Sequence, residues 1–465
     1  MGILKALASV GEYLPSPPRP ARKPDLKYRL FFTFLALAVY YLMASTLVYP
    51  LASYPQAMGL PLPSIISVVF ASQQGTIAQL GIGPMVTAGL IIQILVGAKL
   101  IDLDLSVPQD RKLFTQAEKG LGVLIAAVEG IGFAMYYRFN IFITLSIFLQ
   151  FLLGALILMM LDESIQKGFG IGSGVSLFIL GGVARTIVWD IFAPVTVPGT
   201  DPAQYHGLVP YLIQAYTQGF IDTGRMLFGV VSGVQATLPS VTGLITVILL
   251  ITILVYLQQM KVNIPVTMQR LPGIRTKVPL QFLYVTNIPV LLIGIVFSDL
   301  MLFNNLASAF LVDKAPWLSS ALSTMIYYMR PPQSLLELAV NPIRVSIYSV
   351  VFLGLAILFG LMWVEIAGLG PSAQAENLMK SGLQVPGLRR NPRILESILA
   401  KYIYPLAVLS SIIVASIALT ADVFNAFGTG TGILLAVGIV QQFYTQIAYE
   451  RALEAYPLLK KLIGE

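Results

Sequence analysis

Apolar residues in this chain fall in long unbroken runs separated by short polar breaks. Between positions 30 and 98 there is no charged residue at all. Eight further runs follow, at 120–137, 141–161, 171–189, 239–260, 278–298, 345–364, 402–421 and 431–449. Their lengths match the roughly 20 apolar residues that a helix needs to cross a hydrocarbon core of about 30 Å.

The first stretch is long enough for three crossings, yet its pattern predicts two, at 30–48 and 82–98. Turn-forming "YPQAMGLPLPS" (54–64) breaks it, and "IISVVFASQQGTIAQL" (65–80) is short and dotted with Ser, Gln and Thr. A third crossing would put the basic tail (Arg19, Arg22, Lys23, Lys27, Arg29) and the basic loop (Lys99, Arg111, Lys112, Lys119) on opposite sides. The positive-inside rule opposes that, so the middle piece is expected to dip in and return. Ten spans then leave both termini on the cytoplasmic side. All but six of the 29 basic residues, the exceptions being Arg138, Arg185, Arg225, Lys314, Arg330 and Arg344, fall on that side.

The fold class expected is an all-α polytopic membrane protein. A basic segment occupies 1–29, with Ile3, Leu4, Leu7 and Val10 at helical spacing, suited to an interfacial helix or a disordered tail. Five spans make a first half at 30–194, and an external loop runs over 195–238 with an amphipathic piece "YLIQAYTQGF" (211–220). A second half covers 239–452, with basic cytoplasmic loops at 261–277 and 370–401, and a tail closes the chain at 453–465.

The halves share a motif. "FGIGSGVSL" (169–177) and "FGTGTGILL" (427–435) each open the last span of their half, while Gly81-Ile82-Gly83-Pro84 and Asn287-Ile288-Pro289 each break the second. Matching interruptions predict two pseudo-symmetric halves, the second inverted because each contains an odd number of spans. Tight helix packing is the competing account of the glycines.

Composition narrows the chemistry. With 56% hydrophobic and 11% charged residues, against about 25% charged in ordinary globular chains, the protein is membrane-embedded. There is no cysteine, and the single histidine, His206, lies in a polar loop context, which leaves no thiol chemistry. No Walker-type glycine loop is present, so any work is powered from outside, and no cofactor is expected. Glu129 and Arg185 are the deepest charges and are expected to pair. Thr87 and Gln93 on the second span could bond to Thr286 and Asn287 on the seventh. On these grounds an ion-coupled transporter with inverted repeats stays open.

The ordered set "GIGPMVTAGLIIQ", "LDESIQKGFGIGSG", "YVTNIPV" and "GTGTG" resembles the SecY family of Sec translocon channel subunits, over essentially the whole chain and in its archaeal form. The resemblance implies a gated protein-conducting channel between two five-helix halves, not an enzyme, in the cell membrane. Its apolar waist would be Ile82, Val86, Val175, Ile179, Leu291 and Leu435. Its re-entrant plug would be about 64–74: Ser64, Ile65, Ile66, Ser67, Val68, Val69, Phe70, Ala71, Ser72, Gln73 and Gln74, the polar members easing its departure. Thr87, Gln93 and Asn287 would belong to the lateral gate, through which signal sequences reach membrane lipids. Arg270, Arg275, Lys277, Arg389 and Arg390 would meet the ribosome and its RNA. A SecE (gamma) subunit, a Sec beta subunit and a nascent polypeptide are the partners implied.

Overall fold

The computed structural model describes residues 2–455 apart from 23, 55–63, 98–99, 102, 104–106, 201, 220, 232–236, 269–270, 312–315, 381–382 and 385–391. In chain order the helices are α1 (Gly2–Tyr13), α2 (Leu26–Ser45), α3 (Ser64–Val69), α4 (Gly83–Gly97), α5 (Pro108–Tyr136), α6 (Ile141–Ser164), α7 (Gly174–Phe192), α8 (Leu208–Gln218) and α9 (Thr223–Phe228). There follow α10 (Val241–Gln259), α11 (Ile288–Leu311), α12 (Pro316–Met329), α13 (Leu335–Val340), α14 (Pro342–Ile366), α15 (Pro371–Lys380), α16 (Pro392–Val423) and α17 (Gly430–Ala455).

Among the described residues, eight helices (α2, α5, α6, α7, α10, α14, α16, α17) are long and apolar enough to cross a membrane. Two shorter apolar helices, α4 and the described part of α11, bring the set to the ten that the apolar runs predict. Apolar side chains face both ways along such a span: on α2, Phe34 and Leu42 are exposed while Ala36 and Tyr40 are buried. Hydrocarbon solvates such outward side chains, so no polar stripe is needed. Local chemistry sets the ends. Asn140 accepts from the Ile143 amide at 3.1 Å to start α6, and Ser240 accepts from Gly243 at 3.1 Å to start α10.

One span differs from expectation. The run at 278–298 does not begin as helix: its first residues belong to a strand, and α11 starts only at Ile288, with Pro289 in its first turn. After the short antiparallel pair β1 (Thr196–Val197) and β2 (Gln204–Tyr205), the strands β3 (Lys261–Met268) and β4 (Leu271–Gln281) pair antiparallel from Lys261↔Gln281 to Thr267↔Arg275. A short apolar run cannot be assigned to strand or helix by periodicity. The small sheet is completed by Leu383–Gln384, which pairs with Thr267 and Met268 of β3.

The chain divides into two compact units, one of residues 1–189, 294–327 and 435–465, the other of 190–293 and 328–434. In the first, α1 is a docked helix, neither free tail nor purely interfacial. Leu4 and Ala8 are buried with Ile92 of α4 and Ala117 of α5. Backbones touch where it crosses α5: a Cβ on Gly11 would strike the Gln116 carbonyl, and one on Gly120 the Leu7 carbonyl. In the second unit, α8 buries Leu208, Tyr211 and Ala215 on one face. The buried Arg225 is its keystone, donating to Gln204 Oε1 at 2.8 Å and to the carbonyls of Tyr205 and His206 while lying 3.8 Å over the Tyr211 ring. Burial pushes its guanidinium down to about 10, so it stays charged at neutral pH. His206 is not simply solvated: its amide donates to the Val195 carbonyl at 2.7 Å and its ring lies 3.4 Å from Asp190 Oδ1.

Candidate functional site: the re-entrant segment and its walls

Among the described residues between α2 and α4, the one α-helix is the six-residue α3, far too short to cross a bilayer. The side chains of Ser64, Ile65 and Ile66 lie outside the described residues, whereas Val68, Val69 and Phe70 are buried. Ala71 then takes a left-handed φ of 50°, and the Ser72 amide donates back to the Ser67 carbonyl at 3.1 Å, closing the helix end. Residues 72–82 form a compact loop that returns to the same point, where the Ile82 amide donates to the Phe70 carbonyl at 2.8 Å. Gly81 needs its φ of +56°, and a Cβ there would collide with the Phe70 carbonyl. Ser72 is buried and donates to the Gln79 carbonyl. Gln73 is bonded too, its amide donating to the Ala78 carbonyl at 3.2 Å.

Helix α4 starts at Gly83-Pro84, so Ile82 sits at its threshold and Val86 one turn on, its amide donating to the Ile82 carbonyl at 3.1 Å. Ile82 and Ile179 are buried, and Val86 and Val175 half-buried. Leu435, on α17, is buried and belongs to the same unit; Leu291, half-buried on α11, belongs to the other.

The two glycine motifs receive a common explanation. Asp162 of α6 accepts from the Val175 amide at 2.9 Å, at the start of α7, and a Cβ on Gly174 would strike its backbone. Asp422 of α16 accepts from the Gly430 amide at 2.8 Å, at the start of α17, and a Cβ on Gly430 would strike the Ala418 carbonyl. In each case the last helix begins against the preceding one, its free amides facing an aspartate. Close packing accounts for these glycines, and the helix starts at the third glycine of one motif but the second of the other. "LDE" and "TADVF" carried the signal: an aspartate a few residues upstream of each Phe-Gly.

Polar groups of the spans pair differently from expectation. Thr87 Oγ1 lies 3.4 Å from Asp299 Oδ2, on α11. Asn287 is occupied locally: its Oδ1 accepts from Thr286 at 3.1 Å, and its carbonyl accepts from Leu291 at 3.0 Å at the start of α11. Gln93 is half-buried on α4. The expected Glu129 and Arg185 pair is absent among the described residues. Arg185 instead donates to the Ala44 carbonyl at 3.1 Å, which a long side chain on α7 reaches without crossing to α5. Asp299, in "FSDLM", was legible only as one more charge in an apolar run.

Of the basic loop residues, Arg270, Arg389 and Arg390 lie outside the described residues. Arg275 stands opposite Thr267 and Lys277 opposite Pro265 in the β3/β4 ladder. Through Leu383–Gln384, the ladder joins the loop after α10 to the loop after α15.

A helical chain with this many apolar helices, motif-matched helix starts and a short segment that enters and returns is a polytopic membrane protein. The SecY family model matches residues 76–444. The protein translocase subunit SecY of Aeropyrum pernix is 45% identical over 474 residues, covering 100% of this chain and 99% of the relative. Among solved structures, one of the SecY protein concerns a plug domain that stabilises the closed state of the translocation channel and maintains a membrane seal. It is 30% identical, covers 96% of this chain and 98% of its own, and superposes with a TM-score of 0.76. Sec61 in a canine ribosome-channel complex from the endoplasmic reticulum is 30% identical at the same coverages, with a TM-score of 0.75. The chain belongs to the SecY family.

Proposed function

We propose that this chain is the central subunit of a protein-conducting channel that translocates secretory polypeptides and releases apolar segments sideways into lipid. The observation that carries the reading is the re-entrant segment, an apolar turn of helix seated on a buried loop between spanning helices, in a chain similar to a SecY whose plug seals the membrane. Segment 64–74 is the plug. Ile82, Val86, Val175, Ile179, Leu291 and Leu435 form the waist, where branched apolar side chains deny water and ions a partner yet yield around a passing chain. Thr87, Gln93 and Asn287 belong to the lateral gate, with Asp299 as the partner of Thr87.

The pore is passive. A ribosome docked on the basic cytoplasmic loops (Arg270, Arg275, Lys277, Arg389, Arg390) supplies direction, in keeping with the similarity to Sec61 in a ribosome-channel complex. The termini are cytoplasmic, the membrane is the cell membrane, and SecE-type and Sec beta subunits complete the assembly. The pore lies between the halves at 30–194 and 239–452. Reconstitution with those subunits and ribosome-bound nascent chains tests this: photocrosslinks from the chain to Ile82, Val86 or Leu291 are expected. Saturable uptake of a small solute without such crosslinks would sink the channel in favour of an ion-coupled transporter.

A further inference from the structure

The loop behind α3 is held more firmly than a stopper that leaves as one piece would be. Two phenols reach it from neighbouring helices. Tyr40 of α2 donates to the Ala71 carbonyl at 3.1 Å, and Tyr137, at the end of α5, donates to Gln79 Oε1 at 3.2 Å. That same amide oxygen accepts from the Gly75 amide at 2.5 Å, so one buried side chain ties the loop both to itself and to α5. The Gln79 Nε2 atom, buried beside it, has no hydrogen-bond partner among the described residues. A buried amide that leaves a donor unmade costs stability, so what Gln79 contributes here comes through its oxygen. The loop is also stitched to the end of α2: Val48 donates to the Gly75 carbonyl at 2.9 Å and Ile77 to the Thr46 carbonyl at 3.1 Å.

Ahead of this anchored loop, the chain changes character at one residue. Ala71 holds a φ of 50°, a conformation that costs a non-glycine residue free energy, directly after α3 ends. It is also confined, since a Cβ on Gly182 of α7 would lie in contact with it. Two backbone bonds span the junction, from the Ser72 amide to the Ser67 carbonyl at 3.1 Å and from the Ile82 amide to the Phe70 carbonyl at 2.8 Å, so a swing about Ala71 breaks those two and leaves the loop's ties to α2 and α5 made.

We propose that 72–82 is a fixed socket, that the plug swings about Ala71, and that Gln79 is the positioning residue that keeps the socket registered to α5. The inference rests on the plug reading above and limits it: Ser67 to Phe70 move, while Ser72, Gln73 and Gln74 stay with the wall. Gating then needs a few residues of α3 to shift rather than the extraction of a buried, hydrogen-bonded loop.

The absence of cysteine allows a clean test on the assembled channel. Single variants Val68→Cys and Ala78→Cys replace side chains that are both fully buried at rest, one on each side of the hinge. Maleimide labelling is followed with and without a stalled, ribosome-bound secretory chain. The expected result is labelling of Val68→Cys only when the channel is occupied, with Ala78→Cys protected throughout. Labelling of Ala78→Cys on occupancy overturns the fixed socket while leaving the plug reading intact. Protection of both positions in channels shown by crosslinking to hold the chain overturns the plug reading, and the socket with it.

A second arm isolates Gln79. In the resting channel, Gln79→Met removes the acceptor and raises labelling at Ala78→Cys by about fivefold per hydrogen bond lost. Gln79→Glu keeps an acceptor for Gly75 and Tyr137 and restores protection. Equal labelling of the Met and Glu variants would assign Gln79 to packing alone and overturn its positioning role.

Discussion

The carboxylate of Asp422 accepts a hydrogen bond from the Gly430 amide at 2.8 Å, so the last spanning helix begins on the side chain of the helix before it. Asp162 does the same for α7 through the Val175 amide at 2.9 Å, with Gln166 Nε2 donating to its other oxygen at 2.8 Å. Truncating either acid leaves helix-start amides without a partner in a water-poor setting. Asp422→Ala and Asp162→Ala should each cost about 1.5–3 kcal/mol, the range for hydrogen bonds to charged groups. Asp→Asn should cost less because an acceptor remains. Thermal unfolding of the detergent-solubilised complex measures this; equal melting of the Ala variants and the parent would refute it.

Arg225 organises the segment after α7 by filling three acceptors at once. Arg225→Leu leaves those acceptors buried without donors, a loss of about 3 kcal/mol or more. Arg225→Lys keeps the charge but not the planar fork, and should fall between. Limited proteolysis of 195–238 should accelerate in the order Arg, Lys, Leu while the spanning helices stay protected.

Thr87 meets Asp299 through a single long hydrogen bond. Such interhelical bonds average about 0.6 kcal/mol, so Thr87→Val should shift the fraction of a marginally apolar segment that enters lipid by about threefold at most. Asp299→Asn keeps an acceptor for Thr87 and should change it less than Asp299→Leu does. An insertion assay with a graded series of test segments reads the difference, and a shift larger for Asn than for Leu would count against the pairing.

The waist makes a coarser prediction. Replacing Ile82, Val86, Ile179 and Leu291 together with Gly removes the branched side chains that exclude water, and should raise the conductance of resting channels in planar bilayers by about tenfold or more. Unchanged conductance would remove these four from the seal.

The spanning helices were legible because hydrocarbon selects segments by length and apolarity, and runs such as 141–161 need no partner to be recognised. The extended stretch at the start of the seventh run was not: an apolar strand and an apolar helix look alike until Lys261 is found opposite Gln281. The paired glycine motifs pointed to the right places, but not to Asp162 and Asp422, since a cap is a tertiary contact when its acid comes from another helix. Gln79 was invisible for the same reason. An isolated glutamine in a polar stretch acquires meaning only when Tyr137 and Gly75 are seen to share its oxygen.

The docking of α1 on α5 has a consequence for the order of events during synthesis. The helix that carries Leu4 and Ala8 is made first, and the surface around Ala117 that receives it is made roughly a hundred residues later. At about 5–20 residues per second, α1 waits roughly 5–20 s with its apolar face uncovered. The membrane surface is the shelter its amphipathic spacing suits, so the interfacial helix legible in the sequence becomes a stage in biogenesis that ends when Gly11 meets Gly120. Photoreactive probes in α1 should contact lipid in short nascent chains and α5 in long ones. The small residues at that crossing thus set the moment at which the beginning of the chain is withdrawn from the lipid surface.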